Sequence, residues 1–231
     1  MIKNFNINKK SNQSGRSMIE MLGVLAIVGV LSVGGIAGYS KAMEKFKTNK
    51  LISQISQIAG NVRTLFAQQS SYGENIYWDE NVKKMLLPDD VNKTAMGASD
   101  FTNDFGGRSG FNVTGLQESY DNKSFSIYHG NLPKNVCMEI AAVDWGSNDG
   151  FVGIAVGRGY FSWPAEIDSV MLENCDSGYY DFGGSSSLEG IYSCKSPISP
   201  ATLANAMKNW PDDSTNLNDD QHGCVVLIKF K

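Results

Sequence analysis

The sequence predicts an α+β fold: one long N-terminal helix, half of it membrane-spanning, packed on a mostly antiparallel β-sheet head with short helices and two disulfides. Three observations predict it. An uncharged apolar run of 20 residues, Met21–Ser40, lies near the N-terminus. A helical apolar stripe continues beyond that run. The rest of the chain holds short alternating strands, turn signals, four cysteines and most of the 24 glycines.

The first stretch, Met1 to Gly15, carries Lys3, Lys9 and Lys10 and no acid. Glu20 then stands at the lip of the apolar run. A helix over Met21–Ser40 rises about 30 Å, the thickness of a bilayer's apolar core. A secretory signal would have a shorter apolar region and a small-x-small cleavage site, for which Gly35-Ile36-Ala37 serves weakly. Two features count against it: Glu20 interrupts the approach to the apolar run, and the helical pattern continues past it. Gly34 and Gly38 have the small-xxx-small spacing that lets helices approach closely in lipid. Glycine is also simply common in membrane helices.

Leu51, Ile55, Ile58, Val62 and Leu65 recur at helical steps, with Ser53, Gln54, Ser56, Gln57, Asn61 and Arg63 between them. This is one apolar stripe on a polar helix. A continuous helix from Arg16 to about Gln69 would be roughly 80 Å long, too long to bury in a compact domain of this size. The organisation expected is therefore a basic leader over 1–15, a long helix over 16–72 with its membrane or filament-core segment at 21–40, and a globular head over 73–231.

In the head, Asp79 to Leu87 reads as a short helix stopped by Pro88. Asn103-Asp104-Phe105-Gly106-Gly107 is turn chemistry. Gly110–Thr114 and Ser124–Tyr128 read as a hairpin, hence antiparallel pairing. Leu132-Pro133 opens a helix to about Trp145, with Pro133 in its first turn. Phe151–Val156 is a strand. Ser199-Pro200 starts a helix, with Ser199 as N-cap and Pro200 at the first helical position. Val225–Phe230 is the last strand. Residues 157–196, rich in Gly, Ser, Tyr and Phe, read as an insertion. Its aromatics are read as cover for the sheet, with a partner-binding surface as the rival.

The leader ending in Gly15, the acid at Glu20, the apolar helix after it and Tyr39 together resemble the N-terminus of type IV prepilins and pseudopilins. The Asn-x-Phe-Gly-Gly phrase, the Leu-Pro-x-x-x-Cys phrase, the Ser-Pro helix start and the last strand are similar to PilS-like type IVb pilin heads. The resemblance implies a type IV pilin-like fold and cleavage by prepilin peptidase between Gly15 and Arg16. It implies a chain held in the inner membrane as prepilin, then assembled by the pilus machinery into an extracellular helical homo-oligomer with the heads outside. Glu20 is then the assembly carboxylate, its partner the new α-amine of Arg16 on a neighbouring subunit. Two residues depart from the family pattern: Arg16 stands where an apolar first residue is usual, and Ala37 near the place of a common proline. A pseudopilin of a type II-like secretion system, a minor pilin and a membrane-anchored exported binding protein are the alternatives.

Four cysteines behind an export-type segment read as two disulfides. Cys175 and Cys194 lie in the same insertion, which suggests a local staple and leaves Cys137 with Cys224. Three pairings are open on sequence alone.

The head from Gly73 onward carries 11 Lys/Arg against 22 Asp/Glu. The stretch Lys41–Arg63 carries Lys41, Lys45, Lys47, Lys50 and Arg63 against Glu44. An acidic head argues against nucleic acid as a partner. No phosphate-binding loop, nucleophile elbow or His-Glu-x-x-His motif is present, and nothing orients His129 or His222 for catalysis. A non-enzyme without a cofactor is expected. Asp212, Asp213, Asn216, Asn218, Asp219 and Asp220 form the weak Ca²⁺ candidate, against a solvated loop.

Overall fold

The computed structural model describes residues 18–73, 79–91, 100–114, 121–146, 150–158, 177–182, 188–210 and 223–231. The chain divides into two compact units, Met1–Lys45 and Phe46–Lys231. Helix α1 (Met18–Phe66) contributes to both.

Within the second unit, α1 buries Thr48, Leu51, Gln54, Ile55, Ile58, Ala59, Val62 and Phe66. Thr48, Leu51, Ile55, Ala59, Val62 and Phe66 follow one another at steps of three, four, four, three and four. Their mean spacing is that of a straight helix of about 3.6 residues per turn. The expected stripe ended instead on Leu65, which is 41% exposed. A 3.5-residue period drifts off the buried face by its last turn, so Phe66 takes the final core position. The helix also stops short of the expected 69–72. Tyr72 turns back, its amide donating to Asn122 O at 2.8 Å and its ring packing edge-on to Phe66 and Phe125.

Two short helices open on side-chain caps. In α2 (Glu80–Leu86), Asp79 accepts from the Asn81 and Val82 amides. In α4 (Pro200–Ala206), Ser199 Oγ accepts from Thr202 N at 3.1 Å, with Pro200 at the first turn. Both satisfy amides that a helix start leaves open. Between them, α3 (Lys134–Ala141) differs from expectation at both ends. Pro133 is its N-cap and not a helical residue. The helix stops at Ala141 because Trp145 folds back, its indole N–H donating to Ile140 O at 3.0 Å and its amide to Ser196 Oγ at 2.9 Å.

The strands are β1 (Asp100–Thr102), β2 (Arg108–Thr114), β3 (Ser124–Leu132), β4 (Phe151–Arg158), β5 (Gly178–Phe182), β6 (Leu188–Ser193) and β7 (Cys224–Phe230). They form one sheet in the order β1-β2-β3-β7-β4-β6-β5, with every pairing antiparallel. The stretch read as an insertion therefore supplies the end of β4 and two further strands. The last strand lies between β3 and β4, and all seven of its residues are buried. Register places Phe125, Ile127 and His129 opposite Phe230, Ile228 and Val226, with Ile154 and Val156 on the other side of the same pair of positions. These side chains share a face by strand alternation. All but His129 join the α1 stripe, Val136, Ile140 and Leu203 in one apolar core.

Candidate functional site

Residues 1–17 lie outside the described residues, and with them the leader, Gly15 and Arg16. Glu20 is described. It is exposed in the first turn of α1, where the helix dipole and open amides favour an acid.

Beyond Glu20 every residue from Met21 to Ala42 is exposed. Leu22, Leu25, Val30, Leu31, Val33 and Ile36 are each more than 60% exposed. Burying one such side chain is worth about 1.5–3 kcal/mol, so a surface of this extent requires a cover of lipid or other apolar helices. The polar side chains do not break its apolar character. Ser32 Oγ donates to Val28 O at 2.7 Å and Ser40 Oγ to Ile36 O at 3.0 Å, which satisfies both hydroxyls within the helix. Helix α1 is long and apolar enough to cross a membrane by length and composition. At Gly34 and Gly38 an added Cβ would meet nothing within 4 Å.

The basic stretch has a role the sequence did not reveal. In the second unit three of its cations hold the head to α1. Lys50 Nζ sits 2.8 Å from Asp104 Oδ2 and 3.6 Å from Asp90 Oδ2. The hydrogen bond to Asp104 pushes the Lys50 ammonium above its ordinary range. Lys47 Nζ lies 5.5 Å from the centre of the Phe105 ring, and the Arg63 guanidinium 5.2 Å from that of Phe230. Gln54 adds a bond to Asp90 Oδ2 at 3.0 Å.

Asp104 and Phe105 are presented by the Asn103–Gly107 turn, which Asn103 fastens from inside. Its side-chain carbonyl accepts from the Phe105 and Gly107 amides, each at 3.0 Å. Its amide nitrogen donates to Gly130 O at 3.0 Å and Ser109 Oγ at 3.1 Å. Ser109 Oγ in turn lies 2.7 Å from Nδ1 of the fully buried His129. Burial holds the imidazole neutral and lowers its pKa to about 3. His129 is thus a core residue of β3. Its place was visible in the Phe125, Ile127, His129 alternation, had the strand been extended past Tyr128.

Cys137 on α3 is joined to Cys224 on β7 by a disulfide. Cys194 is disulfide-bonded too. Cys175 lies outside the described residues, as do His222 and the Ca²⁺ candidates Asp212, Asp213, Asn216, Asn218, Asp219 and Asp220. Among the described residues no group of His, Cys, Asp and Glu is placed to hold a metal ion. The side chains of Tyr179, Tyr180 and Phe182 and the residues Tyr160, Phe161 and Trp163 also lie outside the described set.

Comparison with protein families gives a match to PilS N terminal over residues 45–179, more than half of the chain. The chain belongs to the PilS family of type IVb pilins. The match begins at Lys45 and takes in the α1 stripe, the Asn103–Gly107 turn and Cys137. A similar solved structure is the crystal structure of a type IV b pilin from Salmonella typhi. It is 11% identical with a TM-score of 0.44, covering 77% of this chain and 95% of that one. No curated protein matches. The pilin is by family a structural subunit, with an apolar N-terminal helix and an antiparallel head carrying the Cys137–Cys224 bridge.

Proposed function

We propose that this pilin is made as a prepilin, cut between Gly15 and Arg16, and polymerised through α1 into an extracellular filament. The observation that carries the reading is the exposed apolar surface of Met21–Ser40 with Glu20 at its N-terminal end. Before cleavage the segment sits in the inner membrane, where lipid covers it. After assembly the helices of sister subunits replace the lipid, and the heads face outward.

Proteolysis has two consequences. It removes the lysine-bearing leader, and it creates an α-amine that did not exist while Arg16 was bonded to Gly15. A carboxylate at membrane depth is costly unless paired. Glu20 takes that amine, from a neighbour, as its partner. The Arg16 guanidinium brings a second cation to the same place. Peptidase and assembly machinery are the partners this route requires, and calcium at the Asp212–Asp220 loop is kept only as a weak candidate ligand.

Sequencing the N-terminus of the chain recovered from cells tests the route. Arg16 as first residue supports it. An N-terminus near Gly38 marks a signal-peptide product and removes the assembly helix, which leaves a secreted head and no filament subunit.

A further inference from the structure

We propose that Cys194 is bonded to Cys175, and that this bridge is a reducible staple on the β5–β6 hairpin which opens independently of the core bridge. The pairing follows from what the other cysteines do. The chain has four cysteines. Cys137 and Cys224 are bonded to each other, and Cys194 is disulfide-bonded. Cys175 is the cysteine left to be its partner.

The hairpin supplies the reach. Strands β5 and β6 pair antiparallel from Phe182 opposite Leu188 to Gly178 opposite Tyr192. One step beyond, Ser177 Oγ and Ser193 Oγ are 2.9 Å apart, so the two chains still run side by side. Cys194 follows Ser193 directly, and Cys175 precedes Ser177 by two residues. Chain connectivity thus allows a bridge across the open end of the hairpin.

The two bridges differ in what protects them. Cys137 is 0% and Cys224 5% exposed. Cys224 begins β7, which is hydrogen-bonded on both sides, to β3 and to β4. A thiolate reaches that bond only when the centre of the sheet opens. Cys194 is only partly buried and lies just past the end of β6. Strand β5 stands at the end of the sheet order, and among the described strands it pairs only with β6. An edge opens at lower cost than a central strand. Rates of thiol–disulfide exchange follow access to the sulfur.

The opening reaction is exchange with an external dithiol. A thiolate of the dithiol attacks one sulfur of the Cys175–Cys194 bond. A mixed disulfide forms, and the other cysteine leaves as a thiolate and takes a proton. The dithiol's second sulfur then displaces the remaining cysteine, and the reagent departs as a cyclic disulfide. The reagent loses two electrons and two protons, and the two cysteines gain them. With the bond open, the restraint at that end of β5 is lost. Gly178 stands there, and glycine contributes no side chain to hold a strand. In the chain-entropy model, losing a closed loop of this length makes the open hairpin more populated by on the order of a hundredfold.

The test is stepwise reduction of the full chain in detergent micelles with dithiothreitol, followed by alkylation of the freed thiols and mass mapping of the peptides. The expected first product is alkylated at Cys175 and Cys194 and keeps the Cys137–Cys224 bond. That second bond should open more than about tenfold more slowly until denaturant is added. Cys194 joined to any cysteine other than Cys175 overturns the proposal. So does loss of both bonds together, or of Cys137–Cys224 first. Hydrogen exchange on the first product then reads the hairpin. The β5 amides should lose protection by on the order of a hundredfold, while the Val226 and Ile228 amides of β7 remain slow. Unchanged β5 protection overturns the staple. Replacing both Cys175→Ser and Cys194→Ser should give the same exchange pattern. If that variant does not fold, the reduction series on the wild-type chain decides.

Discussion

Lys50 Nζ stands 2.8 Å from Asp104 Oδ2, and this ion pair fastens α1 to a turn 54 residues further along the chain. Each side chain is only 25% exposed, and Asp90 Oδ2 lies 3.6 Å from the same ammonium. Replacing Lys50 by Met should lower head stability by about 1 kcal/mol, as for a partly screened pair. The pH dependence has a defined sign. The Lys50 value is raised in the folded chain, so its contribution is present below the ordinary lysine value and lost as pH rises through the higher folded one. Urea unfolding at pH 7 and at alkaline pH, on wild type and variant, measures both effects. Equal stability of the two at pH 7 would show the pair to be spectator.

Gly107 is required where it stands. A Cβ there would fall inside the contact distance of the Gly130 carbonyl oxygen and 2.8 Å from the Asn131 Cβ. Backbone on β3 is not free to move aside. Gly107→Ala should cost about 3 kcal/mol or more, within the range for overpacked cores. Gly34→Ala meets nothing and should leave head stability unchanged. Thermal unfolding of the two variants side by side checks the contrast.

Phe66 and Leu65 are neighbours with opposite roles. Phe66 is 9% exposed and packs edge-on to Tyr72, and Leu65 is 41% exposed. Phe66→Ala should destabilise by about 3 kcal/mol, and Leu65→Ala by less than about 1 kcal/mol. A larger loss at Leu65 would restore the stripe expected from the sequence.

How far the sequence carried depends on where its signals were local. The α1 stripe was legible from Leu51 to Val62 because burial repeats with the helix. It failed at the last turn, where one residue decides the face. Strands β2 and β3 were legible from their alternating character, and β4 and β7 as short apolar runs. Strands β5 and β6 were not, since Gly178 and Gly190 and the serines around them read as loop. They are strands because β6 pairs with β4, a partner no local window contains, and β5 pairs in turn with β6. The turn at Asn103 was recognised, but its purpose was not. That purpose depends on Lys47, Lys50 and His129, which are far away in sequence. The exposed apolar helix and Glu20 were visible from the start, because lipid-length apolar runs are read residue by residue.

The Cys137–Cys224 bridge closes a long loop, its ends 87 residues apart in sequence. In the chain-entropy model a loop of that length contributes about 4–5 kcal/mol. Replacing both cysteines by Ala should lower the head's stability by several kcal/mol, of similar order. Because Cys224 begins the central strand β7, hydrogen exchange along that strand should report the loss first. Unchanged protection of the Val226 and Ile228 amides would contradict the assigned role.

The central claim is that this pilin polymerises through its N-terminal helix, with Glu20 answering the amine that cleavage creates. A filament structure tests it most directly. The account predicts subunits that begin at Arg16, Met21–Ser40 helices packed in the filament core, and the Glu20 carboxylate within about 4 Å of a neighbour's Arg16 amine. Filaments built through the heads, or ordered filaments with Glu20 remote from every Arg16, would contradict it.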